Sequence, residues 1–391
     1  MIAIGYLTIA LAFLYMCALL TLRTGLSRAH RMSSSFGGLE RLPFVSVVVA
    51  ARNEEENLPS CLESLLNQTY PPDLYEIIVV DDRSTDSTFS IIEGYARRSG
   101  GRVIPLRNDD PGGLTGKQRA LDKAIKHGRG EIILTTDADC VVPPGWIGRM
   151  VQPFAEEEVG VVAGFSVIDD SPLYLSKFGR WRRLFIRMQS FELLTLFSAF
   201  AGCLGLGFAA ACTGNSLAYR RRVYEEIGGF EAIGFTVAED NMLIQRVNRE
   251  TRWRIVPCLS PRAIVTTRPK ESLRDLLAQR VRWASNSLEN RPSVLAFMVV
   301  VYGLNLLIYP ALFLSLLRLI PIWIGPLALL MKLGPEYLLV SKGLEIFNRG
   351  ELIKYFLPIQ PLHTLYILIC GLAGLPGRVG WKGRRCRARW F

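Results

Sequence analysis

The chain has 391 residues, half of them hydrophobic, with a mean hydropathy of +0.23 and a net charge of +11. That balance makes a soluble domain joined to membrane segments the first expectation. The positive charge does not point to nucleic acid, because the basic residues form no stripe interleaved with aromatics; eight cysteines without a CxxC pair exclude a zinc ribbon or a dense disulfide framework.

The first predicted element is a transmembrane anchor at residues 1–22, apolar and uncharged from Ile2 to Leu22. Arg23, Arg28 and Arg31 follow at once, which turns its C-terminal end toward the cytoplasm. The alternative is a cleaved signal peptide. It would need basic residues before the apolar run and a small-residue cleavage site after it, and neither is evident.

A linker at 23–43, polar and Gly/Ser-containing at 33–38, leads into a cytoplasmic α/β domain at 44–290. Phe44–Ala51 is a β-branched run and predicts a buried strand. A helix follows, capped by Asn57 or Ser60, with Leu58, Leu62, Leu65 and Leu66 at helical spacing. Strand Glu76–Val80, helix Thr85–Arg98, strand Arg102–Pro105, helix Gly116–His127 and strand Glu131–Thr136 continue the alternation. Such alternation predicts a mostly parallel, doubly wound sheet, whose ligands sit beyond the carboxyl ends of the strands. Glu54, Asp81 with Asp82, and Asp137 with Asp139 fall there.

Asp137 and Asp139, two apart at a strand end, suit a divalent cation such as Mg2+ or Mn2+, which takes one or two carboxylates and fills its shell with phosphates and water. A solvated turn is the bland reading of that pair. Asp81-Asp82 before Arg83-Ser84-Thr85-Asp86 reads either as a turn with an N-cap at Ser84 or Thr85, or as a carboxylate aimed at a nucleotide; both can hold. Leu114-Thr115-Gly116-Lys117 opens a helix where a phosphate can bind, although it is no Walker A loop.

Phe191–Cys212 is a long apolar stretch inside this domain. It is compatible with a buried core helix, and its length admits a span. Gly202, Gly205 and Gly207 argue instead for an irregular, membrane-dipping piece that admits an acceptor from the bilayer. Glu239-Asp240 heads an apolar-periodic segment, so the pair is either a first-turn cap or a general base with its neighbour. On a helix Gln279, Arg282 and Trp283 share one face, bringing together an amide, a guanidinium suited to a diphosphate, and an indole.

A membrane region spans 294–375, with apolar runs at Val294–Leu317, Ile320–Val340 and Tyr355–Leu375, interrupted by Arg318, Lys332 and Glu336. The basic tail at 376–391 should stay in the cytoplasm. Parity then favours two full spans plus one interfacial or re-entrant segment.

Taken in order, Asp81-Asp82, Asp137-Ala138-Asp139, Glu239-Asp240 and Gln279 to Trp283 resemble the family 2 glycosyltransferases, membrane-associated inverting enzymes of GT-A fold, over about Val45 to Trp283. The resemblance implies a nucleotide-sugar donor carrying UDP or GDP. Asp82, with Asp81, Glu54 and Lys117, would hold that donor. Asp139, helped by Asp137, would bind the metal on its diphosphate. Asp240, beside Glu239, would be the catalytic base. Gln279, Arg282 and Trp283 would close over the diphosphate and acceptor, with Gly214 and Asn215 of the Thr213-Gly214-Asn215-Ser216 loop on the acceptor side. Arg83 departs from the family, which usually has Gly there. A membrane lipid is the expected acceptor, in a bacterial inner-membrane enzyme. A processive polysaccharide synthase is the alternative, and an inactive scaffold or sensor a remote one.

Overall fold

The computed structural model describes the chain except residues 110–113, 115, 235, 237, 286–289, 291, 375–377, 382, 383 and 388–391, with backbone alone at 378–381 and 384–387. Thr115, Val237 and most of the expected basic tail therefore lie outside the described residues. The chain divides into two compact units: Ala29–Lys177 with Gly207–Pro269, and Met1–Arg28 with Phe178–Leu206 and Lys270–Phe391.

Helix α1 (Ile2–Ser35) is followed by β1 (Val45–Ala51), α2 (Leu58–Leu66), β2 (Tyr75–Asp81), α3 (Thr88–Arg98), β3 (Val103–Arg107), α4 (Gly116–His127) and β4 (Ile132–Asp137). Next come β5 (Cys140–Val141), α5 (Trp146–Val151), β6 (Val159–Ala163), β7 (Ser166–Ile168), α6 (Pro172–Leu175), α7 (Arg180–Gly205) and β8 (Leu217–Arg220). Then follow α8 (Arg221–Glu226), α9 (Gly229–Ile233), α10 (Glu239–Glu250), β9 (Arg254–Pro257), β10 (Val265–Thr267) and α11 (Leu273–Ala284). Three long helices finish the fold: α12 (Pro292–Leu316), α13 (Ile324–Ile346) and α14 (Phe356–Gly374).

The first unit is built on a seven-stranded sheet in the order β3-β2-β1-β4-β8-β6-β9. β1 pairs in parallel with β2 and β4, whereas β8 runs antiparallel between β4 and β6. The central strands β1 and β2 are rich in valine and isoleucine and buried almost throughout, because both faces are covered. α2 turns Leu58, Cys61, Leu62 and Leu65 inward at helical spacing, and α3 contributes Ile92 and Tyr95. The mixed, doubly wound sheet expected from the alternation is thus present. A smaller sheet, β5-β10-β7, stands apart from it.

Two local expectations are corrected. α3 starts at Thr88 rather than Thr85, because Ser84 and Thr85 are already engaged. The Ser84 hydroxyl accepts from the Asn53 N–H and the Thr85 N–H donates to Asn53 Oδ1, so neither caps the helix; the carboxylate of Asp86 receives the Thr88 N–H instead. Asn57 occupies the α2 N-cap without capping through its side chain, which donates to Glu54.

In the second unit, five helices among the described residues are long and apolar enough to cross a membrane: α1, α7, α12, α13 and the segment Gly350–Gly374 that contains α14. The stretch expected to be irregular around Gly202 and Gly205 is instead continuous helix to Gly205, and Gly207, at φ 88°, follows its end. The glycine content has another cause. A Cβ on Gly202 would lie 2.6 Å from the Leu22 carbonyl oxygen, and one on Gly25 would lie 2.2 Å from that of Gly202. The small residues let the backbones of α1 and α7 touch. α13 carries a buried ion pair, Lys332 to Glu336 at 2.9 Å, extended by Tyr15 and Gln360.

Candidate active site

The carboxyl ends of β1, β2 and β4 bring the acidic residues together. Asp81 pairs with Ala51 and Asp137 with Ala50, so the two aspartates flank the end of β1. Beyond β2, Asp82 is buried and accepts a 2.7 Å hydrogen bond from the Asn108 amide, while the Arg52 guanidinium stands 3.8 Å away. Asn108 and Arg52 were not singled out from the sequence. Each merely follows a strand, and only the sheet order makes them neighbours of Asp82.

Arg83, where the related pattern has Gly, has φ 60°. The turn keeps the left-handed geometry that glycine serves and places an arginine in it, a strain of about 1 kcal/mol. Its guanidinium donates to the Asn108 carbonyl, 3.2 Å away. Glu54 is spent locally: its N–H donates to the Thr88 hydroxyl and its carboxylate accepts from Asn57.

Gly116 opens α4 at φ 61°, a conformation open to glycine, and Lys117 follows. The Lys117 ammonium bridges two carboxylates, Asp137 at 2.8 Å and Glu239 at 2.7 Å. Burial alone would lower its pKa, but Asp137, Glu239 and Asp240 outweigh that and hold it well above the ordinary value. The lysine is therefore charged at every physiological pH.

Asp240, in the first turn of α10, is held by two backbone donors: Gly214 N–H at 2.5 Å and Asn241 N–H at 2.7 Å. Burial, then the Glu239 charge, pushes its pKa from 3.8 up to about 6, against the pull of Lys117 and those N–H groups. The adjacent carboxylates thus have different environments: Glu239 is tied to an ammonium, whereas Asp240 is poised near neutrality. The Gly214 carbonyl accepts from Thr135 at the end of β4, which fixes the loop, and the amide of Asn215 donates to Ser166.

Asp137 and Asp139 have carboxylate oxygens within 4.8 Å of one another and of the Cys140 sulfur. Burial, then Asp139 and Asp137, raises the Cys140 thiol well above its usual pKa, and the thiol donates to Asp139 Oδ1 at 3.5 Å. The two carboxylates are hard oxygen donors of the kind that suit Mg2+ or Mn2+. Several buried polar atoms on the residues at these strand ends and loops have no protein partner: Asp81 Oδ1, Asn108 Oδ1, Thr213 Oγ1, Asn215 Oδ1 and Asn241 Oδ1. Native proteins leave few such atoms.

Gln279, Arg282 and Trp283 lie on α11, in the second unit, and the predicted helix is present there, opened by Ser272 capping the Asp275 N–H. Between them Arg280, which the sequence did not single out, is buried against Glu192 of α7.

Residues 46–228 match the family model described as Glycosyl transferase family 2. A beta-monoglucosyldiacylglycerol synthase of Nostoc sp. (strain PCC 7120 / SAG 25.82 / UTEX 2576) is 29% identical over 305 residues, covering 73% of this chain and 61% of that protein. The probable glycosyltransferase YdaM of Bacillus subtilis (strain 168) is 28% identical over 277 residues, 68% of this chain and 60% of its own. The match thus spans about three-fifths of the length of these relatives. Among solved structures, the mannosyltransferase PcManGT from Pyrobaculum calidifontis, in complex with GDP-Man and Mn2+, superposes with a TM-score of 0.61 over 95% of this chain and 98% of that one. At 19% identity that likeness concerns the fold.

Proposed function

Since residues 46–228 match the model of glycosyl transferase family 2 and the fold is GT-A-like, we propose that the chain is an inverting, metal-dependent hexosyltransferase acting on a membrane lipid. The donor would be a UDP- or GDP-sugar and the acceptor a lipid hydroxyl. One observation carries the reading: Asp240 is a part-buried carboxylate, raised to about 6 and fixed by backbone N–H groups, in the same unit as the Asp137 and Asp139 pair. A general base needs just such a pKa, close to the working pH.

In this mechanism Asp240 takes the proton of the acceptor hydroxyl. The freed oxygen forms a bond to the anomeric carbon as the bond from that carbon to the diphosphate oxygen breaks, and configuration inverts. The Glu239 charge, paired with Lys117, helps burial to keep Asp240 raised, while Lys117 pulls it down. Asp137 and Asp139 would hold Mg2+ or Mn2+, which supplies positive charge to the leaving diphosphate. Asp81 and Asp82, the latter braced by Asn108 and Arg52, would take the nucleoside, with Glu54 shaping the adjoining turn. Gln279, Arg282 and Trp283 are assigned to the diphosphate and acceptor on their motif alone.

A lipid acceptor is supported by the monoglucosyldiacylglycerol synthases among the relatives and by the five apolar helices. α7 leaves the first unit after β7 and returns to it at β8, so a full crossing would force an irregular chain back through lipid, which a bilayer does not tolerate. We take it as interfacial. Its start carries Arg180, Arg182 and Arg183 around Trp181, which is 80% exposed, as headgroup anchors do. Arg23, Arg28 and Arg31 would keep the catalytic unit on the cytoplasmic face of a bacterial inner membrane.

The test is incubation of detergent-purified protein with radiolabelled UDP- and GDP-hexoses, Mg2+ or Mn2+, and total membrane lipid, followed by organic extraction. A discrete labelled glycolipid is expected. Label confined to a large aqueous or insoluble polymer would overturn the lipid acceptor in favour of a polysaccharide synthase.

A further inference from the structure

Arg280 lies within the Gln279 to Trp283 segment and is buried in the packing of α7, α11 and α14. It is 6% exposed, and its partner Glu192 is 7% exposed. Nε donates to Glu192 Oε1 at 3.0 Å and Nη2 to Glu192 Oε2, a bidentate fork. Tyr366 of α14 donates to the same carboxylate at 2.9 Å. The remaining edge of the guanidinium reaches back to its own helix. Nη1 donates to Gln279 Oε1 at 2.5 Å, and the carbon of the guanidinium stands 4.2 Å from the centre of the Trp283 ring.

Burying an ion pair is a poor way to gain stability, since hydrophobic residues of similar volume do as well. What the arrangement supplies is geometry. The carboxylate is gripped from two helices, the planar guanidinium is gripped by the carboxylate, and its free edge and face fix an amide and an indole. A lysine would offer a point charge in place of the fork and the flat face.

We propose that Arg280 is a positioning residue, clamped by Glu192 and Tyr366, that sets the orientation of Gln279 and Trp283 for transfer. The inference rests on the transferase reading above for its effect on rate, and on the three-helix network alone for its effect on Trp283. Two measurements separate them. In the transfer assay, Arg280→Lys lowers kcat by about 10²-fold, the cost of misplacing a group by about 1 Å. The melting temperature stays near the wild-type value, because Lys keeps a positive charge against Glu192. When Gln279 and Trp283 are already Ala, the same substitution costs little more, because the effect passes through them. An equal loss in both backgrounds, or no loss, overturns the proposal.

The second measurement needs no activity. The emission of Trp283, taken as the difference between each protein and its Trp283→Phe counterpart, shifts to longer wavelength in Arg280→Lys as the stacked cation leaves; an unchanged difference spectrum overturns the proposal. Where Arg280→Lys fails to fold, Tyr366→Phe removes a single hydrogen bond from the clamp. It should lower kcat by about fivefold and shift the same emission in the same direction, and a variant with wild-type rate and spectrum overturns the proposal. If the wild-type protein transfers no hexose while the emission shifts as expected, the transferase reading fails and the clamp stands.

Discussion

Replacing Asp240 by Asn tests the proposed chemistry and its electrostatics together. In the wild-type protein burial and Glu239 raise this carboxyl from 3.8 to about 6. As a base it works only when ionised, so transfer should fall about tenfold for each pH unit below 6 and level off above 7. Asn holds no charge, so that dependence should vanish, with a residual rate about 10² to 10⁴ lower at pH 8, equivalent to about 3 to 5 kcal/mol of lost barrier reduction. Stability moves the other way. Because the folded pKa is raised, the folded state binds the proton more tightly between pH 4 and 6, and wild-type stability declines as pH rises through that window. A shift of about two units corresponds to about 3 kcal/mol, which Asn escapes. The stability of Asp240→Asn relative to wild type should therefore improve by about 3 kcal/mol from below pH 4 to above pH 6, whatever constant offset the lost acceptor introduces. The assays are transfer rate against pH, melting temperature in detergent at both ends of the window, and calorimetric donor affinity, which should be unchanged. A flat wild-type rate profile, an Asn variant retaining more than a tenth of the rate, or lost donor affinity would refute the assignment.

Asp139→Ala should abolish the dependence of donor binding on Mg2+ or Mn2+, read by titration calorimetry with and without the ion; full activity in this variant would sink the metal assignment. In Gly214→Ala the new Cβ would stand 3.0 Å from Asp240 Oδ2 and 3.2 Å from its Cβ, so the base must give way. We expect kcat to drop by about 10-fold or more with donor KM unchanged. Lys117→Met leaves the buried Glu239 and the partly exposed Asp137 without their shared cation, a loss of about 1 to 3 kcal/mol visible as a lower melting temperature. It also removes the charge that holds Asp240 down, so the pH midpoint of any remaining activity should rise.

The sheet and most carboxylates were legible because their signals are local. Val45–Ala51 and Tyr75–Asp81 are apolar runs of strand length, and the acidic residues at their ends are visible without knowing what they face. Partnerships across the fold were not. Asn108 bonds to Asp82 only because β3 lies beside β2, and Glu192 meets Arg280 across 88 positions of sequence. Ser84 and Thr85 looked like helix caps by type, but Asn53, which follows another strand, had claimed them. The glycines at 202 and 205 read as breaks because a glycine that loosens a helix and one that lets a second backbone approach have the same letter. The carbonyl of Leu22 tells them apart.

The antiparallel strand β8 has a consequence for biosynthesis. It is the sole link between β4 and β6 in the large sheet, yet it is made after β6 and after all of α7. While the ribosome is still making α7, the nascent chain can assemble β1 to β4, but β6 has no neighbour in that sheet and β4 presents an open edge. An unpaired strand edge invites other chains. The interval between residues 163 and 217 is therefore when the growing protein is most exposed to misassembly, and it ends when Leu217–Arg220 arrives to close the gap.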